Sequence, residues 1–483
     1  MNPKKIETAL GDLFEQWAGE YPDLILPLAP SGSDRIYYRL QGRDHAAIGT
    51  YSPHDPESRA FLAFSKHFYS KGLPVPQIYA ENLEAKIYLQ EDLGSTTLYS
   101  FLIQQNDYFP DYLLQIFKKV VEQLARLQIL GGQDLDYEAY CYPKAAFDKE
   151  AMFFDLNYFK YHFLMVSKAG FSEPALEKDF HTLTDFLLSA DSNYFLFRDF
   201  QSRNIMIRSG EPYFIDYQGG RRGALQYDLA SLLYQAKANL MPDVRQELLE
   251  HYLKTASTLV PIDRDRFIEF YYGYVLIRNI QTLGAYGFRG IFERKEHFLK
   301  SIPYALRNIK SLLDQWPLPI ELPELSRALR KVIESKKYEP FDKIKGSSSL
   351  LTVHVNSFSY HSGLPEDTTG NGGGFVFDCR FIHNPGRYEP YKKLTGRDEA
   401  VINFLKHHSN IDEYLNNIFR IVDNAVEDYI DRSFSSLTVN FGCTGGQHRS
   451  VFAADELVKH LKEKYGVNVI LHHVEQEKKD WKN

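Results

Sequence analysis

The sequence predicts a two-lobed α+β domain followed by a separate, smaller α/β domain. Three observations carry this prediction. Strand-like segments crowd the region before residue 95, and helical periodicity dominates from there to about residue 330. A strand-rich insert, FRDFQSRNIMIRSGEPYFID from Phe197 to Asp216, interrupts those helices. A proline-rich break and a polar, small-residue linker then precede a stretch where strands and helices alternate again. The expected boundaries are 1–330 for the first domain, with lobes of about 20–95 and 96–330. A linker follows at 331–349, then a second domain at 350–477 and a tail at 478–483.

The opening MNPKKIETALGDLFEQWAGEY lacks a signal-peptide apolar core and reads as an amphipathic helix. Leu24–Ala29, Ile36–Leu40 and Ala46–Thr50 read as consecutive strands, the first two joined by the turn PSGSDR, Pro30 to Arg35. Asp55-Pro56 opens a helix, Pro56–Lys71, that Gly72 stops. Lys86–Glu91 is the next strand and ends in Asp92-Leu93-Gly94. Helical periodicity marks Phe109–Leu130, Phe147–Ala169, Pro174–Ser189, Ala224–Ala238, Pro242–Ser257 and Arg264–Tyr286. The insert supplies short strands at Tyr194–Phe197, Ile205–Ile207 and Tyr213–Ile215. WPLPIELPE, Trp316 to Glu324, breaks the pattern, and SKKYEPFDKIKGSSS, Ser335 to Ser349, reads as linker. Beyond it, Leu351–Ser357, Phe375–Phe381, Leu437–Phe441 and Val467–His472 are strands. Asp398–His408, Asn410–Ile430 and Ser450–Tyr465 are helices. A small sheet lobe, an edge strand and a helical lobe bearing a catalytic hairpin make a protein-kinase-like plan, with substrates in the cleft between lobes.

Net charge is −7 over 483 residues, which gives no global attraction to nucleic acid. Cys141, Cys379 and Cys443 are the three cysteines, an odd and sparse set that suits a reducing compartment. No apolar run reaches the roughly 18–20 residues of a membrane span. A cytoplasmic enzyme without membrane association is expected.

Asp199, Asn204 and Asp216 form the inventory that phosphoryl transfer from a nucleotide requires. Asp199 is the candidate catalytic base for the attacking hydroxyl. Asn204 and Asp216 are the candidate ligands of a magnesium ion that neutralises the phosphates. The turn residues Ser31, Gly32, Ser33 and Asp34, with Arg35, are candidates to cap the phosphates, and Arg203 is counted with this nucleotide-binding set. Glu91, at the end of its strand, would offer adenine a backbone edge. Asp228, in LQYDLASLL, reads as a helix cap or loop brace.

FRDFQSRN with IDYQ, GALQYDLASLL and GLPVPQIYAENLEAKIYLQEDLG resemble the aminoglycoside-phosphotransferase-like superfamily over roughly residues 20–315. The resemblance is nearest to bacterial kinases of the anomeric hydroxyl of N-acetylmuramate or N-acetylglucosamine. It implies an ATP-dependent sugar kinase with Asp199 as base and Asn204 and Asp216 on Mg²⁺. Two positions depart from the family pattern. Phe197 stands where the family has a histidine. The strand Ala46–Thr50 lacks the lysine that clamps the α- and β-phosphates, so Glu57 lacks its usual mate. Arg35, Arg39 and Arg43 are candidate substitutes, and spacing does not choose among them. A catalytically inactive kinase fold serving as a sensory adaptor is the alternative.

GCTGGQHRS, Gly442 to Ser450, joins a strand to a helix. Its glycines let the backbone wrap an anion at a helix N-terminus, and His448 and Arg449 add donors. Walker A spacing is absent. The spacing of Cys443 and Arg449 also matches a cysteine-dependent phosphatase loop, although Gly442 replaces the histidine those enzymes carry. VNSFSYHSGLP, FVFDCRFIHNP, LTGRDEAV and LTVNFGCTGGQHRSVFAADEL resemble the C-terminal domain of the RapZ RNase adapter family over about residues 351–476. That resemblance implies binding of an amino-sugar phosphate, glucosamine 6-phosphate. It also implies association with small RNAs and an RNase, and a homo-oligomer. By motif the ligand contacts are His361, Asp378, Arg380, Asn384, Thr444, Gly445, Gly446, His448, Arg449 and Ser450. From Leu350 onward 15 Lys and Arg face 18 Asp and Glu, a net of −3, which argues against RNA as a partner. Together the domains point to a sugar substrate for the first and a sugar-phosphate ligand for the second.

Overall fold

The computed structural model describes residues 3–28, 34–103, 109–335, 337–338, 351–365, 374–431, 434, 436–465 and 467–478. The chain divides into two units, Met1–Asp342 and Lys343–Asn483.

In the first unit, helix α1 (Pro3–Ala18) lays Ile6, Leu10, Leu13 and Phe14 on a sheet whose inner face carries Tyr38, Leu40, Ala47, Ile87 and Leu89. That sheet is antiparallel, with strands β1 (Leu24–Pro27), β2 (Ile36–Gln41), β3 (Ala46–Tyr51), β4 (Ile78–Asn82) and β5 (Ile87–Gln90) in the order β1-β2-β3-β5-β4. Helix α2 (Asp55–Ser70) follows β3. Sequence reading missed β4, a half-exposed edge strand whose register slips against β5 between Ile78 and Ala80. An edge strand with one partner shows little of the alternation by which strands are recognised.

The helical lobe begins with α3 (Leu98–Ile103), α4 (Asp111–Ile129), α5 (Tyr137–Tyr140), α6 (Lys149–Phe159), α7 (Met165–Ser167) and α8 (Glu173–Leu188). The predicted helix Phe147–Ala169 is thus α6 and α7 joined by a π-turn, Lys160–Leu164. Strands β6 (Tyr194–Leu196) and β9 (Arg221–Gly223) pair with each other, as do β7 (Ile205–Arg208) and β8 (Glu211–Phe214). Helices α9 (Gln226–Leu233), α10 (Pro242–Ala256), α11 (Arg264–Tyr286), α12 (Glu296–Leu299), α13 (Ile302–Gln315) and α14 (Pro323–Glu334) complete the lobe.

Two expectations change here. The helix expected over Ala224–Ala238 stops at Leu233 and resumes as a short 3₁₀ turn, Ala236–Ala238. Helix α14 runs past residue 330, where the first domain was expected to end. It buries Leu325, Ala328, Leu329 and Val332, an i, i+3, i+4, i+7 stripe that carries it into the supposed linker. Pro323 does not break it, because the first helical turn has no intrahelical N–H partner to lose.

In the second unit strands β10 (Thr352–Ser359), β11 (Phe375–Asp378), β12 (Ser436–Cys443) and β13 (Asn468–His473) form a parallel sheet in the order β11-β12-β10-β13. Helices α15 (Glu399–His408), α16 (Ile411–Asp431), α17 (Arg449–Lys464) and α18 (Val474–Lys478) accompany it. β12 is buried along nearly its whole length, as a central parallel strand demands. β11 ends at Asp378, short of the expected Phe381, because the Asp378 carboxylate accepts from the Arg380 N–H (2.8 Å) and turns the chain. The chain leaves β10 toward β11 on one side and β12 toward β13 on the other. The carboxyl ends of β10 and β12 therefore flank the crevice where such sheets bind ligands.

Candidate functional site

The loop between β6 and β7 presents Asp199, and three sets of contacts hold it. Phe197 is fully buried, edge-on to Phe200 (5.2 Å) and Tyr217 (5.9 Å), so packing takes over the bracing expected of a histidine. The N–H groups of Phe197 (2.7 Å) and Arg198 (3.0 Å) donate to the Asp228 carboxylate, which also accepts from Gln128 (3.0 Å). Asp228 is thus a loop brace. Arg198 adopts φ +82°, and its guanidinium is pinned by Asp155 and by the Tyr227 hydroxyl, both at 2.7 Å. Further along, the Gln235 side chain accepts from the N–H (2.9 Å) and hydroxyl (2.8 Å) of Ser202. This tether sits in the break between α9 and the Ala236–Ala238 turn, where sequence periodicity had predicted continuous helix. Asp199 itself projects outward, 52% exposed, with Arg278 at 3.7 Å.

Burial pushes the Asp228 carboxyl up from near 3.8 to about 7, against the lowering effect of its three donors. The folded value exceeds the unfolded one, so folding stability from this group is greatest below pH about 4 and declines as pH rises toward 7. The slope of denaturation midpoint against pH over that window should be shallower in Asp228→Asn. Parallel slopes in the two proteins would overturn this.

Asn204 and Asp216 meet beside the same loop. The Asn204 amide donates to the Asp199 carbonyl (2.9 Å) and to the Asp216 carboxylate (3.3 Å). The Ile215 N–H donates to the Asn204 carbonyl (3.1 Å), which locks the end of β8 to the loop. Asp216 adopts φ +69°, a strained conformation of the kind that clusters at functional sites. One carboxylate and one amide oxygen are hard donors that fit Mg²⁺ completed by phosphate oxygens. Among the described residues no group of three or more His, Cys, Asp or Glu side chains could hold a metal alone.

Arg35 is the arginine that reaches Glu57, the residue left without its lysine mate. Its guanidinium lies 2.6 Å from Glu57 on α2 and 3.4 Å from Asp216, and Arg35 is only 6% exposed. Arg39 instead pairs with Asp92 (2.6 Å), and the Arg43 N–H donates to Glu20 (3.1 Å). Of the three candidates only Arg35 joins the α2 glutamate to Asp216, one of the two candidate metal ligands.

The other nucleotide candidates separate. Ser31, Gly32 and Ser33 lie outside the described residues. Asp34 is exposed and faces His54 (3.2 Å). Glu91 gives its N–H to the Gln77 carbonyl (2.8 Å) and its carboxylate to Arg208 (2.5 Å), so the N–H is unavailable to adenine. Arg203 lies over the ring of Tyr99, 4.5 Å from its centroid, and influences Lys237 and Tyr286; its neighbours are these rather than Arg35 or Glu57. Arg278, Gln235 and Gln128 were missed, since no local motif marks them.

In the second unit Thr444 and Gly445 are exposed at the turn before α17, next to the carboxyl end of β10, where the Ser359 hydroxyl donates to the Thr444 carbonyl (2.6 Å). Gly446 adopts φ +64°, and a Cβ there would lie 2.6 Å from Glu475 Cγ and 3.0 Å from the Ser359 nitrogen. Arg380 is exposed, pairs with Asp378 (2.6 Å) and covers the Tyr360 ring at 3.9 Å. His361 is exposed, and Asn384 accepts from the Gly386 N–H (3.1 Å). Three other predicted contacts face inward. Arg449 is buried and donates to the carbonyls of Arg380 (2.7 Å) and Ile382 (2.8 Å). Ser450 is buried, 3.1 Å from the Cys443 sulfur, and His448 is bound to the Tyr391 carbonyl (2.8 Å). Burial first, then the neighbouring Arg449, lowers the His448 pKa, while the Tyr391 bond opposes it. One Arg449 nitrogen is committed to main-chain carbonyls and another lies 3.4 Å from the Thr444 hydroxyl, which leaves less of the guanidinium for the phosphate that a phosphatase centred on Cys443 would hold.

A family model described as phosphotransferase enzyme family matches residues 25–268, and one described as RapZ C-terminal domain matches residues 351–477. A nucleotide-binding protein of Endomicrobium trichonymphae is 38% identical over 123 residues, 26% of this chain and 41% of that protein. Another nucleotide-binding protein, from Thermosipho melanesiensis, is 34% identical over 171 residues, 34% of this chain and 58% of that protein. The chain thus spans about half the length of these curated relatives. Among solved structures, choline kinase from Cryptosporidium parvum Iowa II aligns at TM-score 0.47 and 14% identity, over 68% of this chain and all of that one. Amicoumacin kinase hAmiN, in complex with AMP-PNP, Ca2+ and Ami, aligns at TM-score 0.42 and 13% identity, over 67% of this chain and all of that one. Among the described residues no helix is long and apolar enough to cross a membrane.

Proposed function

We propose, from the premise that this chain belongs to the phosphotransferase enzyme family, that its first unit transfers the γ-phosphoryl group of ATP to a hydroxyl of an amino sugar, at the anomeric position. The observation that carries this is the joining of Asp199, Asn204, Asp216, Arg35 and Glu57 into one connected site. Asp199 is exposed and free to meet the acceptor hydroxyl. The acceptor oxygen bonds the γ-phosphorus as the β,γ-bridging bond breaks, ADP leaves with that electron pair, and Asp199 takes the proton. Asn204 and Asp216 would hold Mg²⁺, which when bound neutralises charge on the phosphates. Glu57 orients Arg35, and Arg35 holds Asp216 in register while adding positive charge beside the phosphates.

For the second unit we propose an amino-sugar phosphate ligand. The main-chain N–H groups of the exposed residues Thr444 and Gly445 and the Arg380 guanidinium would receive the phosphate, while Arg449 and His448 shape the loop from within. RNA is not required by this reading, given the net of −3.

Two experiments test it. Incubation with Mg-ATP and a panel of amino sugars should yield a phosphorylated sugar detectable by ³¹P NMR; the absence of any product would leave the inactive adaptor as the better account. Glucosamine 6-phosphate should raise the melting temperature of the second unit's transition. Gly446→Ala should abolish that rise and cost about 1–3 kcal/mol in stability, from its left-handed backbone and the crowding at Glu475. An undiminished ligand shift in Gly446→Ala would refute the loop as the binding element.

A further inference from the structure

We infer that the phosphoryl acceptor is an anion: a sugar bearing a phosphate monoester or a carboxylate, docked on Arg203 and Lys237. The inference rests on the phosphotransfer reading and names the acceptor class for that same site. Arg203 lies four residues after Asp199 and one before Asn204, and is the exposed residue of an otherwise buried 3₁₀ turn, Ser202–Asn204. Its guanidinium covers Tyr99 of α3 at 4.5 Å. Helix α3 packs on this turn and on the Ala236–Ala238 turn that carries Lys237. Three elements therefore bring cationic or phenolic groups to one flank of the catalytic loop.

Among the described residues neither Arg203 nor Lys237 has a carboxylate partner, and neither donates a hydrogen bond to protein. Lys237 is half-buried, and burial, then repulsion from Arg203 and Lys300, pushes its ammonium down to about 8. A partly desolvated cation next to other cations is costly unless a negative group completes it. Arg278, 3.7 Å from Asp199, extends the positive field to the base, and Tyr286 lies within reach of both Arg278 and Arg203. A cationic amine acceptor would meet like charges here, and a neutral sugar would leave Lys237 uncompensated. An anionic oxygen group satisfies both, with charge-assisted bonds from a planar guanidinium and an ammonium. It would also anchor the sugar by a group remote from the reacting hydroxyl, which supports turnover as well as affinity.

Steady-state kinetics of the full chain with Mg-ATP test this on N-acetylglucosamine, its 6-phosphate and N-acetylmuramate. At least one of the two anionic sugars should exceed the neutral parent in kcat/KM by about 10-fold or more. Which of the two is preferred identifies phosphate or carboxylate as the docked group. Arg203→Gln and Lys237→Met should each raise the KM for the anionic acceptor about 10-fold or more while the KM for ATP holds, and Arg203→Lys should recover part of the loss. Arg203 is exposed, so its variants remain informative should Lys237→Met fold poorly. Asp199-dependent turnover that favours the neutral sugar would overturn this inference alone. A rise in the KM for ATP, rather than for the acceptor, in Arg203→Gln would overturn it too. Absence of Asp199-dependent turnover with every acceptor would overturn the phosphotransfer reading along with it.

Discussion

Asp199→Ala is expected to lower kcat about 10²–10⁴-fold while leaving the KM for ATP close to that of the parent chain. The split follows from which atoms do what. The Asp199 carboxylate is outward-facing and touches Arg278, whereas its main-chain carbonyl holds the Asn204 amide. Alanine removes the proposed base and keeps the carbonyl, so Asn204 and Asp216 stay in register. The side chain is about half exposed, so the change should alter stability by no more than about 0.5 kcal/mol. A coupled ADP-release assay alongside a thermal melt would check both halves. A kcat within about threefold of the parent would remove Asp199 from the chemistry and leave the loop a structural turn.

The second large effect is expected at Arg35. Arg35→Ala deletes the cation that pairs with both Glu57 and Asp216, leaving two carboxylates facing the proposed triphosphate site. The expected loss in kcat/KM is about 10²–10³-fold, the range for removing one preorganised electrostatic donor, with the KM for ATP raised. Stability should fall by only about 1–2 kcal/mol, because Glu57 is 37% and Asp216 45% exposed and water screens both. Arg35→Lys should recover part of the activity, since one ammonium cannot fork between two carboxylates as a guanidinium does. Unchanged ATP kinetics in Arg35→Ala would show that Arg35 is a lobe fastener without a part in phosphate binding.

Arg35 also marks where sequence reading stopped. Its type and approximate place were visible, yet Arg35, Arg39 and Arg43 all lie near β2 and share a composition. The selection comes from partners 22 and 181 residues away. Gln235 is a similar case. Periodicity carries a helix straight through it, whereas in the fold Gln235 is tethered to Ser202 and the Tyr234 carbonyl is taken by Asn308 (2.9 Å), so the helix stops. In the second unit the glycine-rich turn was recognised as a whole, but not the inward orientation of Arg449, Ser450 and His448. An arginine that binds phosphate and one that binds main-chain carbonyls have the same spacing.

The sequence by itself determined what depends on near neighbours. The lobe order, most helices, the parallel sheet's buried strands and the Asp199–Asn204–Asp216 series all follow from periodicities and short spacings. Phe197, which breaks the family pattern, was visible as an apolar residue in a histidine's place, and its packing was settled by the fold. Tertiary structure alone decided which cation serves Glu57 and which polar groups brace the loop. It also decided which residues of the glycine-rich turn face solvent. The reason is physical: an ion pair or a buried hydrogen bond depends on distance in space, and local spacing constrains that distance only within a helical turn or along a strand.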